Sequence, residues 1–223
     1  MRSEKSLIPM KFLICIFVGF ISLGALKAGD VKVNIVDTSS EPIKNAVVSL
    51  TPLFEAPIAV SETQKAVMKQ QNTMFHPFVL PIKTGTSVSF PNFDEFRHHV
   101  YSFSKAKQFE LRLYGKDESN ELIFNEAGII ALGCNIHDNM LAYIYVTDDP
   151  LYTVSDVQGS AVFKGLPVGR YAMSLWHPDQ KSKQDSSHQE IEIGNSNAVV
   201  GAVLKMRSVK RLQKGPDGQE YNE

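Results

Sequence analysis

The chain is short of cysteine, tryptophan and net charge. Its 223 residues include two cysteines and one tryptophan, and 23 basic residues nearly balance 24 acidic ones. This balance gives no electrostatic argument for binding nucleic acid or an acidic membrane surface, because both attract proteins with an excess of Lys and Arg. Two cysteines form at most one disulfide, which excludes a disulfide-rich scaffold. The sequence also lacks a glycine-rich phosphate loop and an ordered Ser-His-Asp set, so it does not favour an enzyme.

The first 28 residues have the features of a secretory signal peptide. A basic start is followed by an apolar core at residues 12–21 and by a small-residue exit at Ala28. The alternative is an anchor that stays in the membrane, but the apolar run is short for a spanning helix. We predict cleavage, a periplasmic location and no stable membrane insertion afterwards. Cys15 lies within the signal, so the mature chain keeps Cys134 alone, which can form no internal disulfide.

Three side chains with metal-binding atoms recur at a spacing of three: Cys134, His137 and Met140. Two predicted strands, 128–132 and 141–146, flank them, so a short loop would bring the thiol, imidazole and thioether to one point. Trigonal copper sites use this donor set, with the thioether as a long, weak ligand. A buried cysteine that packs as a small apolar side chain is the alternative for Cys134, and core packing is the commoner role of a methionine. The regular spacing favours ligation.

A second block upstream supplies the further imidazole that a trigonal site needs. Asn92 and Asp94 precede two adjacent histidines, His98 and His99, and then Val100. Asn-x-Asp-x3-His-x-Val followed by Cys-x2-His-x2-Met resembles the type 1 copper pattern of cupredoxins, and the tight Cys-His-Met spacing is most similar to amicyanin. The wider blocks FPNFDEFRHHVYSFS and LGCNIHDNMLAYIYV resemble the bacterial cupredoxin-like proteins called methylamine utilisation proteins.

The resemblance implies one type 1 copper ion with four ligands: His98, Cys134, His137 and Met140. It favours His98 because the cupredoxin triplet His-Asn-Val corresponds to residues 98–100. Strand alternation points instead to His99, which shares the more apolar face with Tyr101 and Phe103. A bulge before His98 would reset that period. His99 also stands where cupredoxins have an asparagine that ties the ligand loops together, so the choice between the two histidines stays open at this point.

The rest of the chain resembles another β domain. VDTSSEPIKNAVVSLTP resembles the first hairpin of carboxypeptidase-regulatory-like or Cna-B-like sandwiches, and D-x-x-G-x-x-x-F and L-P-x-G-x-Y patterns continue that resemblance beyond residue 155. We therefore predict an all-β chain in which a cupredoxin Greek-key sandwich is inserted into a second, small β-sandwich. The alternative is two consecutive domains whose N-terminal hairpin joins the cupredoxin sheet. The predicted boundaries are a signal peptide (1–28), the first hairpin of the small sandwich (29–57), the copper domain (58–147), the remainder of the sandwich (148–205) and a flexible tail (206–223).

The resemblance implies a periplasmic blue copper protein that transfers single electrons to a redox partner protein. It implies no enzyme, because Met140 would fill the position where a substrate must enter. The alternative is a periplasmic copper carrier or sensor without an electron-transfer role, which two adjacent histidines and an unusual ligand environment would suit. A metal-free adhesion-type sandwich is the third hypothesis, and it requires the ligand spacing to be coincidental.

Overall fold

The computed structural model describes residues 29–55, 65–181 and 188–208, so the predicted signal peptide and most of the predicted tail lie outside the described residues. Every regular element in these ranges is a strand, and the all-β prediction is confirmed. Across the same ranges, no helix is long and apolar enough to cross a membrane. The strands are β1 (Val31–Asp37), β2 (Val47–Pro52), β3 (Lys65–Val67), β4 (Lys69–Gln71), β5 (Met74–His76), β6 (Val79–Lys83), β7 (Thr86–Pro91), β8 (His98–Ser104), β9 (Lys107–Tyr114), β10 (Ser119–Phe124), β11 (Gly128–Cys134), β12 (His137–Thr147), β13 (Leu151–Val154), β14 (Ser160–Phe163), β15 (Gly169–Trp176), β16 (Gln189–Ile193) and β17 (Ala198–Leu204).

Two sheets built from both ends of the described chain enclose one apolar core. One sheet has the order β14-β1-β17 and the other the order β13-β2-β15-β16. Alternating side chains such as Val33 on β1 and Leu50 on β2 are fully buried between the sheets, together with Tyr171 on β15. The alternation of apolar and polar residues along β1 explains this layer, since one face of the strand is buried and the other is wet.

β1 and β2 pair with strands from the end of the described chain. β1 pairs antiparallel with β14 and parallel with β17, while β2 pairs with β13 and β15. Both strands therefore lie in the middle of sheets whose other members follow residue 150. They lie in different sheets, however, so they do not form the hairpin that the sequence predicts. The domain boundaries themselves stay a prediction.

The middle of the chain forms a second pair of sheets, which carries the predicted copper motif. A five-stranded sheet with the order β6-β12-β11-β8-β9 packs against a three-stranded sheet with the order β10-β7-β3. Their shared core contains Phe90, Ile130 and Leu132, each at most 1% exposed. A short hairpin, β4–β5, accompanies these sheets.

Two local predictions in this part of the chain are wrong. The polar sequence of residues 56–72 predicts a short helix or a linker, but residues 65–71 form the short strands β3 and β4, while residues 56–64 lie outside the described ranges. The apolar alternation of residues 75–90 around the Thr84–Thr86 turn predicts a strand pair, but β6 and β7 do not pair with each other: β6 joins β12 and β7 joins β10. Apolar alternation predicts a strand but does not say which sheet it enters.

A third apolar cluster lies where the two pairs of sheets meet. We call it the junction cluster: Val47, Phe78, Val79, Tyr143 and Trp176. The Trp176 ring lies 5.9 Å from that of Tyr143 and 5.3 Å from that of Tyr145, both on β12. Trp176 lies on a strand of the small sandwich, but its neighbours include side chains of the copper-motif sheet, so its fluorescence reports on both.

Candidate metal centre

Cys134 and His137 face each other across the tip of the β11–β12 hairpin. Cys134 is paired with His137, and the preceding pair is Gly133 with Leu141. β12 therefore carries three additional residues, 138–140, opposite a single step of β11. Such a bulge turns the strand locally and re-aims its side chains. The spacing from Cys134 to His137 is thus that of a two-residue turn, and the spacing from His137 to Met140 is that of the bulge.

The hairpin thiol lies between two imidazoles. Cys134 Sγ is 3.8 Å from His98 Nδ1 and 3.7 Å from His137 Nδ1, and the donor atoms of the three residues all lie within 4.8 Å of one another. With two edges of 3.7 and 3.8 Å and a third of at most 4.8 Å, an ion equidistant from the three donor atoms is roughly 2.0–2.4 Å from each, which is the range of metal bonds to nitrogen and sulfur. The residues present therefore fit a metal ion, and one thiol with two imidazoles is the donor set of a trigonal copper site.

Met140 lies close to this group along the chain and in the core. It sits at the end of the bulge, is 2% exposed and belongs to the same buried cluster as Cys134. Core packing and axial ligation are both compatible with this burial. Its assignment as a ligand stays a prediction.

The two adjacent histidines point to opposite faces of β8. His98 is fully buried and contacts Cys134, whereas His99 Nε2 lies 3.0 Å from Glu110 Oε1 on β9. The face that His99 shares with Tyr101 and Phe103 is the outer one, because Phe103 is 80% exposed. The alternation argument for His99 fails because it took aromatic residues to mark the interior.

A carboxylate holds the far side of the His98 ring. Asp94 Oδ2 lies 2.7 Å from His98 Nε2, and Asp94 is itself buried. Asn92 fixes the loop between them: its side-chain oxygen accepts from the Asp94 N–H (2.9 Å), and its amide group donates to the carbonyl of Phe96 (2.8 Å). Asp94 therefore takes part in the hydrogen bonds of the loop and also contacts a candidate ligand.

The cluster favours the thiolate form of Cys134, which is the form that binds metals. Burial works against ionisation, but hydrogen bonds from the His98 ring and from backbone groups of His99 and Ile136 outweigh it and lower the pKa of Cys134 to about 6. Burial also opposes the charged form of His98, whereas Cys134 and Asp94 favour that form and raise its pKa. Proton exchange between thiol and imidazole is therefore part of the chemistry of the metal-free site.

His137 is the donor nearest to solvent. It is half-buried, while His98, Cys134 and Met140 are buried. The Phe96 ring lies 6.3 Å from the His137 ring and is 55% exposed, and Ile136 is 49% exposed. We call the region around the candidate donors His98, Cys134, His137 and Met140 the metal end. It presents an imidazole edge within an apolar rim.

Three solved copper proteins are similar to part of the chain. The copper-containing nitrite reductase NirK of Thermus scotoductus SA-01 matches with 25% identity and a TM-score of 0.37, over 44% of this chain and 25% of that chain. A purple cupredoxin of Nitrosopumilus maritimus matches with 21% identity and a TM-score of 0.33, over 38% of this chain and 99% of that chain. A reduced Cu(I) form of an amicyanin variant matches with 23% identity and a TM-score of 0.35, over 44% and 99%. No protein-family model and no curated protein sequence matches the chain.

Proposed function

We propose that the chain is a copper protein that transfers single electrons. Its ligands would be His98, Cys134 and His137, with Met140 as the weak fourth donor. The observation that carries the proposal is the buried thiol of Cys134, flanked by two imidazole nitrogens at 3.7 and 3.8 Å. One thiol, two imidazoles and a nearby buried thioether suit a mononuclear type 1 copper ion, which supplies a one-electron step by cycling between Cu(I) and Cu(II).

The chain's own residues would keep the site rigid during that step. Cys134 and His137 are fixed by strand pairing across the hairpin, and His98 is held by Asp94. A ligand set that is already in place needs little rearrangement when the charge of the ion changes, and small rearrangement favours fast electron transfer. The fixed shell also restricts access by other ligands, which suits a carrier of electrons better than an enzyme.

The redox partner would dock at the His137 end. The exposed side chains of Phe96 and Ile136 surround the one half-buried donor, so a partner protein that covers them comes close to the imidazole edge. Interfaces with such an apolar centre exclude water at the point of contact. The predicted signal peptide would deliver this protein to the periplasm, where the partner would be found.

Spectroscopy of the copper-loaded mature protein tests the proposal. We expect an intense visible absorption from the thiolate–copper bond, a type 1 EPR spectrum and reversible one-electron reduction. Cys134→Ser is the matched control, because it replaces one atom and should abolish the visible band while the far-UV circular dichroism stays the same. A colourless Cu(II) form with an ordinary tetragonal EPR spectrum would refute the proposal.

Two adjacent histidines and an unusual ligand environment are the features that suit the copper-carrier alternative. Within the described part of the chain, His99 lies beside Glu110 and outside the donor cluster, so the second histidine of the pair adds no ligand there. Electron self-exchange distinguishes the two functions: fast, reversible cycling supports electron transfer, whereas slow exchange with very tight Cu(I) binding supports a carrier.

A further inference from the structure

The turn of the β4–β5 hairpin contacts the carboxylate that holds His98. The backbone N–H of Asn72 donates to Asp94 Oδ1 (2.6 Å), and the N–H of Thr73 donates to Asp94 Oδ2 (3.0 Å). Asp94 Oδ2 also lies 2.7 Å from His98 Nε2. We propose that this turn is a positioning element of the metal centre: it fixes Asp94, and Asp94 fixes His98. The inference deepens the proposed function and rests on it for its relevance to copper.

The backbone of the turn is in an uncommon conformation. Asn72 and Thr73 have φ angles of 56° and 58°, the left-handed values of a two-residue type I′ turn. A β-branched residue such as Thr73 is rarely found there. Backbone strain of this kind persists only where surrounding contacts hold it in place. The two hydrogen bonds to the buried Asp94 carboxylate are such contacts.

Three donors converge on Asp94, which explains why a carboxylate stands here. The N–H groups of Asn72 and Thr73 cannot accept a hydrogen bond, so each needs an oxygen. His98 completes the set by donating from Nε2, which leaves Nδ1 as the ring nitrogen that faces Cys134. Partners on the far nitrogen of a histidine ligand commonly set its tautomer and ring orientation. The turn thus acts on the metal side of the ring through two hydrogen bonds in series.

Asp94→Asn and Asp94→Ala give different expected results. The Asn side chain has one oxygen. If this oxygen faces Thr73 and His98, it accepts from both, and the NH2 group faces the Asn72 N–H. In the opposite orientation the NH2 group faces two donors, which is less favourable. Asp94→Asn should therefore keep the His98 tautomer and the protection of the Thr73 amide but lose the protection of the Asn72 amide. Asp94→Ala should lose all three. We expect hydrogen exchange of an affected amide to accelerate about tenfold, because a charge-assisted hydrogen bond is lost.

Nuclear magnetic resonance of the metal-free protein provides both readouts, namely amide exchange at residues 72 and 73 and the ¹⁵N shifts of the His98 ring. Glu95→Gln is the matched control, because Glu95 is an exposed carboxylate beside Asp94 that pairs with Lys116 instead of a ligand. This control should leave the His98 tautomer and the Asn72 exchange rate unchanged.

Competition with a Cu(I) chelator extends the test to the metal. Asp94→Ala should weaken Cu(I) binding about 10- to 100-fold, the usual effect of removing a partner of a histidine ligand, and Asp94→Asn should weaken it less.

Unchanged exchange at Asn72 and Thr73 and an unchanged His98 tautomer in Asp94→Ala would overturn the proposal. If Asp94→Ala does not fold, equal exchange at Asn72 in Asp94→Asn and wild type would overturn it. Confirmed NMR effects without a blue copper spectrum would instead reject the proposed function alone.

Discussion

The metal end and the junction cluster are both buried, but different interactions hold them. At the metal end, Asp94, His98 and Cys134 bury polar atoms that contact one another at defined distances. At the junction, Trp176 and Tyr143 meet through ring contacts and apolar burial. Polar groups that leave water must find partners with a specific geometry, whereas apolar groups need only a surface that fits. The metal end is therefore specific and sensitive to single atoms, and the junction contributes mainly to stability.

The two regions also differ in how far along the chain their parts lie. The candidate donors come from three strands, β8, β11 and β12, and Asp94 comes from the loop before β8. The junction joins β2, β6 and the loop before it, β12 and β15, which are far apart in sequence. β12 is the one strand with residues in both regions, so we expect most changes in one region to leave the other intact. Four predictions test this separation, from the largest expected effect to the smallest.

Deleting residues 29–57 should have the largest effect. It removes β1 and β2, the central members of both sheets of the small sandwich. The apolar faces of β14, β15 and β17 lose their partners, so we expect this sandwich to unfold and Trp176 emission to shift towards that of a solvated indole. The visible copper band should survive. Deletion of residues 209–223 is the control and should change neither signal. Unchanged emission with lost copper binding would mean that the N-terminal strands belong to the copper-motif sheets.

Trp176→Ala should destabilise the junction without changing the metal end. Loss of a buried tryptophan that contacts Tyr143 and Tyr145 should lower the free energy of unfolding by about 3–5 kcal/mol. Denaturant unfolding followed by circular dichroism measures this, and Trp176→Phe, which keeps a ring, should lose less. The copper absorption should stay at the same wavelength. A shifted copper band would show that the junction and the metal end are coupled.

The sequence predicted the metal end much better than the junction, for a physical reason. Chemistry at a metal restricts residue type and spacing, so Cys134, His137 and His98 were recognisable before their geometry was known. Packing restricts only size and polarity, and no local pattern shows that Trp176 meets β12. The contribution of Asn72 and Thr73 was invisible for another reason: they act through backbone N–H groups, which every residue except proline has. An Asn-Thr pair between two three-residue strands gives at most a turn signal.

Replacing each of the two adjacent histidines sharpens the comparison within the metal end. His98→Ala removes a candidate ligand and leaves the buried Asp94 carboxylate without its partner, which should lower the free energy of unfolding of the metal-free protein by about 1–3 kcal/mol. It should also abolish the type 1 spectrum. His99→Ala removes a side chain on the outer face and should cost less than about 1 kcal/mol, with the spectrum intact. Loss of the copper band in His99→Ala alone would make His99 the ligand.

The pH dependence of the metal-free protein should give the smallest change in stability. The pKa of Cys134 is about 6 in the folded protein and about 8.5 when unfolded, so its stabilisation is complete above the unfolded value and is lost as the pH falls through 6. His98 has a raised pKa, so its stabilisation is complete below the unfolded value of about 6.5 and is lost as the pH rises through the raised value. Where both groups titrate between their unfolded and folded pKa values, these slopes oppose each other, because folding favours the charged form of both.

Above pH 6, over the range in which the two slopes oppose each other, the free energy of unfolding should therefore change by less than about 1 kcal/mol. The phenol of Tyr145, which neighbours the junction, should add no pH dependence to the stability near neutral pH, because burial raises its pKa above 10. Ultraviolet absorbance of the metal-free protein should nevertheless show the Cys134 thiolate appearing with a midpoint near pH 6. His98→Ala should move this midpoint upwards, because it removes the main hydrogen bond that favours the thiolate. A midpoint that stays near 6 in His98→Ala would mean that the backbone groups of His99 and Ile136 and the His137 ring stabilise the charge without His98.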